Sequence, residues 1–499
     1  MTRMLQNVSF LRLGSRRFMT PLVLIFASAV CSDLDSSSVT LAAQQPHSAK
    51  PSRTTQEVTR RFQVAVTAYQ AERYAEAQRE LLPLLAGNPD SFEINELTGL
   101  VYVALGQDEK AYTYLAKAVR LNPTSAAAHT TLAATLVRVR RNTEAEVQFR
   151  KVVELEPQGY DANHNLGAFY IQTDELTQAL PYLKRAQEIN PRAYNNGYDL
   201  ALAYEQTENL DKARSQVEQL LKINDTAELH SLLAEIEERA KNYLASAAQF
   251  EQAVRMNPSE SNILEWGAEL LLHQTFEPAV EVFKAGMARY PRSGRLELGL
   301  GIALYGLSHF DDGAKSFFHA SDRNTADPLP LIFLGKAYEN LSPPIRDEVR
   351  SRLHRFLITE PPNASIPYYY AIALWKQSQA QPETTQFAEI ETLLKSAVSL
   401  DPRNADAYLQ LGILYASQRK YNDAMTQYEE ALEINPNTAA VHYRLGQALA
   451  RTGAAARAQR EFAEFERLQA HEVDETEKQN AEIQQFVYSL RNANFSGKE

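Results

Sequence analysis

The side chains best suited to bond-making chemistry are few and scattered in this sequence. Ten histidines and one cysteine are spread over 499 residues. None falls at the short spacings that bring two ligands to one loop or helix face, so no metal centre is expected. The His-Glu-x-x-His helix of metalloproteases, the paired-cysteine redox motif, the Gly-x-Ser-x-Gly elbow and the glycine-lysine phosphate loop are all missing from it. Gly299, Gly301 and Gly306, within 297–306, fall short of a dinucleotide fingerprint. The chain is therefore read as a non-enzyme with no cofactor. The side chains left to carry function are polar and aromatic groups that hold a partner by hydrogen bonds and contact. A formal net charge of −11 argues against a nucleic-acid partner, which calls for a basic face to neutralise phosphates.

Elements must position those groups, and one stretch shows how. Residues 405–438 read as two amphipathic helices closed by a proline. Leu411, Gly412 and Tyr415 share one face of the first, and Tyr421, Ala424, Tyr428 and Ala431 one face of the second. Pro436 ends the second helix because it has no N–H and clashes with the preceding turn. Gly412 and Ala424 are small where two helices approach closely, and the large apolar residues fill the space against the next unit.

This Leu-Gly-x-x-Tyr run, followed by aromatic, Ala, aromatic, Ala and Pro, resembles the tetratricopeptide repeat (TPR). Aligned on it, residues 58–471 give about twelve copies. The resemblance implies an all-α fold, an α-solenoid in which TPR helix pairs wind into a right-handed superhelix. Copies over 328–404 are irregular: Ser342-Pro343-Pro344 interrupts one, and QSQAQPETTQ at 377–386 lengthens the loop of the next. Ile483, Phe486, Val487 and Leu490 put one apolar stripe on residues 472–499, as a terminal capping helix requires.

Residues 1–31 carry basic Arg3, Arg12, Arg16 and Arg17, then an uncharged stretch ending in Ala27-Ser28-Ala29. That is the pattern of an export signal; the alternative is a buried or interfacial helix. Cys31 resembles the lipid-acceptor cysteine of bacterial lipoproteins, although Val30 stands where those signals carry a small residue. Residues 32–57, rich in Ser, Gln, Thr and Pro, read as a flexible linker.

In the TPR family the first helices line a concave groove that binds peptides or proteins. Counting from each copy's start, the fourth and fifth place Asp161, His164, Gln172, Asn195, Tyr198 and Gln206 there, donors and acceptors suited to an extended peptide backbone. The sixth places Glu228, Glu235 and Glu238, with Glu205 nearby, to steer a basic segment. The seventh and eighth offer Leu264, Leu271, Leu272, Leu298, Ile302 and Tyr305 as an apolar lining. Members that grip a chaperone's terminal carboxylate use a clamp of lysines, arginine and asparagines; the corresponding positions here hold His164, Ala168, Asn195 and Asp199. The expectation is a TPR scaffold or adaptor for protein or peptide partners in the bacterial cell envelope, periplasmic or otherwise exported. The alternative is a regulatory or substrate-recruiting arm of an envelope enzyme complex, in cell-wall or secretion machinery.

Overall fold

The computed structural model describes residues 53–380 and 386–471, which form helices joined by short turns; no strand occurs among the described residues. The export signal, Cys31, most of the linker and the capping helix of 472–499 lie outside them.

Two compact units follow one another along the chain, the first ending at Ala240 and the second beginning at Lys241. The first holds α1 (Arg53–Gln70), α2 (Tyr74–Gly87), α3 (Phe92–Ala104), α4 (Asp108–Leu121), α5 (Ala126–Arg138), α6 (Asn142–Leu155), α7 (Tyr160–Gln172), α8 (Leu176–Ile189), α9 (Tyr194–Gln206), α10 (Leu210–Leu221) and α11 (Ala227–Arg239). The second holds α12 (Tyr243–Met256), α13 (Glu260–Leu272), α14 (Phe276–Arg289), α15 (Gly294–Gly306), α16 (Phe310–Arg323), α17 (Leu329–Ala337), α18 (Pro343–Thr359), α19 (Ser365–Ala380), α20 (Phe387–Leu400), α21 (Ala405–Ser417), α22 (Tyr421–Ile434) and α23 (Ala439–Arg451). A further helix runs over 455–471. Helix α1 begins at Arg53, inside the stretch read as a linker; there Arg60 and Arg61 both hold Glu57, at 2.9 and 3.0 Å.

The turn within a pair has a fixed construction. Glu72, Arg140, Asp174, Glu208, Gln274, Ser308 and Arg419 all adopt φ between 53° and 63°, and Gly106 and Gly453 occupy the same place in their own copies. After α5, Arg140 N–H bonds Val137 O at 3.0 Å and Arg141 N–H bonds Leu136 O at 2.8 Å. This left-handed closure satisfies the last carbonyls of the helix and reverses the chain at once. The next helix then starts two residues later, as Asn142 does after Arg140.

Between pairs, proline sets the break. Asn435 sits at φ −137° and ψ 91° before Pro436, outside the helical region that a residue preceding proline avoids. The following first helix is often capped by a side chain: Ser91, Ser125, Thr226, Ser259, Ser293 and Asn404 each accept a hydrogen bond from the backbone N–H three residues on.

Packing explains the small residues. A Cβ on Gly412 would lie 2.3 Å from Tyr428 Cε1, so only glycine lets α21 meet α22 at this distance. Ala424 and Ala431 are fully buried beside Tyr428. The irregularity foreseen at 328–404 takes a definite form: α17 has 9 residues and runs into a 3-10 turn, Tyr338–Asn340, before Pro343 starts α18.

Candidate functional site

In the first unit, the first helices α7, α9 and α11 carry a connected set of polar and aromatic side chains. His164 on α7 stacks on Tyr160, with ring centres 5.5 Å apart and planes 9° off parallel. Its Nδ1 lies 3.1 Å from Asn196 Oδ1 on α9. Asn196 donates through Nδ2 to Leu183 O at 2.9 Å and to Gln187 Oε1 at 2.8 Å, which leaves Oδ1 as its acceptor. His164 therefore donates through Nδ1, and in the neutral ring Nε2 is an acceptor. Burial holds the His164 pKa below its ordinary value, partly offset by the Asn196 bond.

On α9, Tyr194 and Tyr198 stack at 6.3 Å, and Tyr194 Oη lies 3.2 Å from Thr226 Oγ1 at the start of α11. Burial pushes the Tyr198 hydroxyl up, and Glu235 and Glu228 of α11 push it the same way. Burial likewise raises Tyr160 to about 12, helped by Asp161 and Asp199. Asp199 is 1% exposed, and its Oδ2 has no hydrogen-bond partner. Burial alone lifts its carboxyl to about 7. The face thus combines aromatic rings with hydrogen-bond acceptors.

The residues expected at the site are distributed along this face unevenly. His164, Tyr198 and Glu235 are half-buried, while Asp161, Asn195 and Glu228 are exposed in the first turns of their helices. Gln172 and Gln206 end α7 and α9, away from the stacked rings, and Glu238 is near the end of α11. The residue that meets His164 is Asn196, not the neighbouring Asn195. Glu205 does not offer a free charge: it is buried and bonded to Arg239, which also holds Glu208. Glu237 is buried in a two-bond pair with Arg214, at 2.5 and 3.0 Å.

The apolar lining expected in the second unit is corrected by the structure. Leu264, Leu271, Leu298 and Ile302 are at most 3% exposed and belong to one hydrophobic core, so Leu271 has no surface to offer a ligand. Leu272 is exposed. Tyr305 is half-buried, its ring edge-on to Phe310 at 5.0 Å and its hydroxyl accepting from Asn340 Nδ2 at 2.7 Å. The same unit buries acids that sequence reasoning did not select as site residues. Glu265 and Glu269 on α13 and His273 at its C-terminal cap recur every four residues, with His273 Nε2 3.2 Å from Glu269 Oε1 and its ring 4.4 Å from Tyr243. The four-residue spacing was the available signal.

Two other histidines are structural. His129 reaches Pro123 O at 3.1 Å and Gln148 Oε1 at 2.7 Å. His442 reaches Pro436 O at 2.9 Å and Glu461 Oε2 at 2.7 Å. Asn95 and Asn163 bond the equivalent proline carbonyls. No helix among the described residues is long and apolar enough to cross a membrane.

Models described as tetratricopeptide repeat match residues 65–126, 130–194, 174–236 and 393–426, and one described as TPR repeat matches 414–453. No curated protein sequence matches the chain. Among solved structures, yeast Tom70 is similar at 15% identity over 81% of this chain and 96% of that one, with a TM-score of 0.39. The Naa15/Naa10 complex bound to HypK-THB matches at 16% identity over 82% and 68%, with a TM-score of 0.38. YrrB, a TPR protein with an unusual peptide-binding site, matches at 19% identity over 38% and 97%, with a TM-score of 0.35.

Proposed function

Because this chain belongs to the tetratricopeptide-repeat family, we propose that it is a non-catalytic scaffold binding a peptide or protein segment across α7, α9 and α11. The observation that carries this reading is the bonded chain of groups across the three helices: Tyr160–His164–Asn196, then Tyr194 and Tyr198 joined to Thr226. Such a face supplies aromatic contact area at low entropy cost and acceptors for backbone amides. Stacked repeats supply the extended surface on which a peptide lies.

The location proposed is the bacterial cell envelope, supported by the basic-then-apolar pattern of residues 1–31. The partner is then an envelope protein. Affinity capture from envelope extract, comparing wild type with a His164→Ala/Tyr198→Ala variant, tests both statements. A partner held by wild type and lost by the folded variant is expected. A partner retained equally by both removes the α7–α9–α11 face from the reading, and one drawn only from the cytoplasmic fraction removes the location.

A further inference from the structure

We propose that Asp199 is the anchor of this face for a cationic side chain, so that the bound segment is one that presents an arginine or lysine between the rings of Tyr160 and Tyr198. This deepens the reading above and rests on it.

A buried carboxylate oxygen without a partner is uncommon, because the unmade bond costs folding free energy. Asp199 Oδ2 is such an atom, in a residue 1% exposed. Among the described residues no hydrogen-bond partner reaches that oxygen, and burial is the sole cause of the shift in its carboxyl. From α7 it is faced by the Tyr160 hydroxyl, and on α9 itself by Tyr198, beside which stand Glu235 and Glu228 of α11. The two acids of α9 and α11 that do have cations are different residues: Glu205 takes Arg239 and Glu237 takes Arg214. The fold therefore neutralises its other buried acids on this stretch and leaves Asp199 open.

Everything around Asp199 favours a positive guest. Neutral His164 offers Nε2 as an acceptor, Glu228 and Glu235 are acceptors, and the rings present faces that attract a cation. A guanidinium fits best, since its planar fork bonds a carboxylate and stacks on an aromatic ring at once. The carboxylate lies below the surface, so the guest group must be carried on a long stem, as in arginine or lysine.

The test uses the full chain and fluorescein-labelled nonapeptide pools, random except for a fixed central Arg, Lys, Leu or Asp, read by fluorescence anisotropy. The Arg pool is expected to bind wild type at least tenfold more tightly than the Leu or Asp pool. Asp199→Asn, checked for helix content by circular dichroism, is expected to bring the Arg pool to the level of the Leu pool. The Arg-pool affinity for wild type should also rise from pH 6.5 to 8 as Asp199 ionises, a rise that Asp199→Asn abolishes. Burial shifts His164 toward its neutral form and the tyrosines toward their protonated form, and whatever His164 still contributes persists in Asp199→Asn. Pools that bind wild type equally, yet are lost in His164→Ala/Tyr198→Ala, overturn the anchor and leave the binding face standing. Pools that all fail to bind overturn both.

Discussion

Replacing Asp199 by asparagine should stabilise the first unit, and the gain should grow with pH. Burial without a partner lifts this carboxyl from 3.8 to about 7. Below the lower value both folded and unfolded chains hold the proton, and the residue contributes nothing. Between the two values the unfolded chain has released the proton while the folded one retains it, so stability falls as pH rises; above about 7 the loss is complete. At about 1.4 kcal/mol for each pH unit, the full penalty is about 4 kcal/mol, of which about 3 kcal/mol accrues between pH 5 and pH 8. Asparagine has nearly the same shape and no such term. Its own packing and bonding changes are the same at both pH values, so they cancel in the comparison. Hydrogen exchange of peptides covering α9 is the suitable assay, because the ratio of variant to wild type removes the intrinsic pH dependence of exchange. The ratio of protection should increase about a hundredfold from pH 5 to pH 8. An equal ratio at both values would refute the reasoning, and would mean that a cation or water already compensates Asp199 in the folded chain.

Other perturbations test separate parts of the structure. Arg214→Ala removes the two-bond partner of Glu237, whose side chain is 8% exposed, and should cost about 3–5 kcal/mol by urea denaturation followed at α11; a change below about 1 kcal/mol would mean that other contacts or water already hold the Glu237 charge. Gly412→Ala drives a Cβ to 2.3 Å from Tyr428 and should cost about 1–3 kcal/mol, whereas Gly87→Ala, with nothing within 4 Å, should be neutral or stabilising by thermal denaturation. Contacts in a repeat array run between neighbours, so unfolding should be stepwise, with amides of 328–404 exchanging before those of α21 and α22; uniform protection in a single transition would contradict this.

The helix pairs were legible because their causes are local. Leu411, Gly412, Ala424 and Pro436 act within their own copy, and spacing reveals them. The side-chain environment was less legible because it depends on residues a whole copy away. Leu271 and Leu272 are adjacent in sequence, yet one is in the core and the other is 40% exposed, and only the packing of α13 against its neighbours decides which. Glu205 looked available until Arg239, on the next first helix, was seen to hold it. His129 and His442 each bond the carbonyl of the proline that precedes its helix, a contact that no spacing within the copy announces. Asp199 carried no sequence signal of its burial, because desolvation is a property of the surroundings and not of the residue.

The left-handed turn inside each pair also decides where this chain can be lengthened. At Glu72, Arg140 or Arg419 the reversal is made by one residue in a conformation disfavoured for all but glycine, braced by two backbone bonds. Any extra residue there breaks both bonds and changes the angle at which the second helix leaves. Helices α17 and α18 are not joined in this way, since Leu341 and Ser342 lead straight into Pro343; of the segment read as a long loop at 377–386, residues 377–380 are the end of α19, and 381–385 lie outside the described residues. The α17–α18 junction is where an epitope, a protease site or a whole inserted domain would be accommodated, while the same cargo placed after α5 or α7 would unseat every pair that follows.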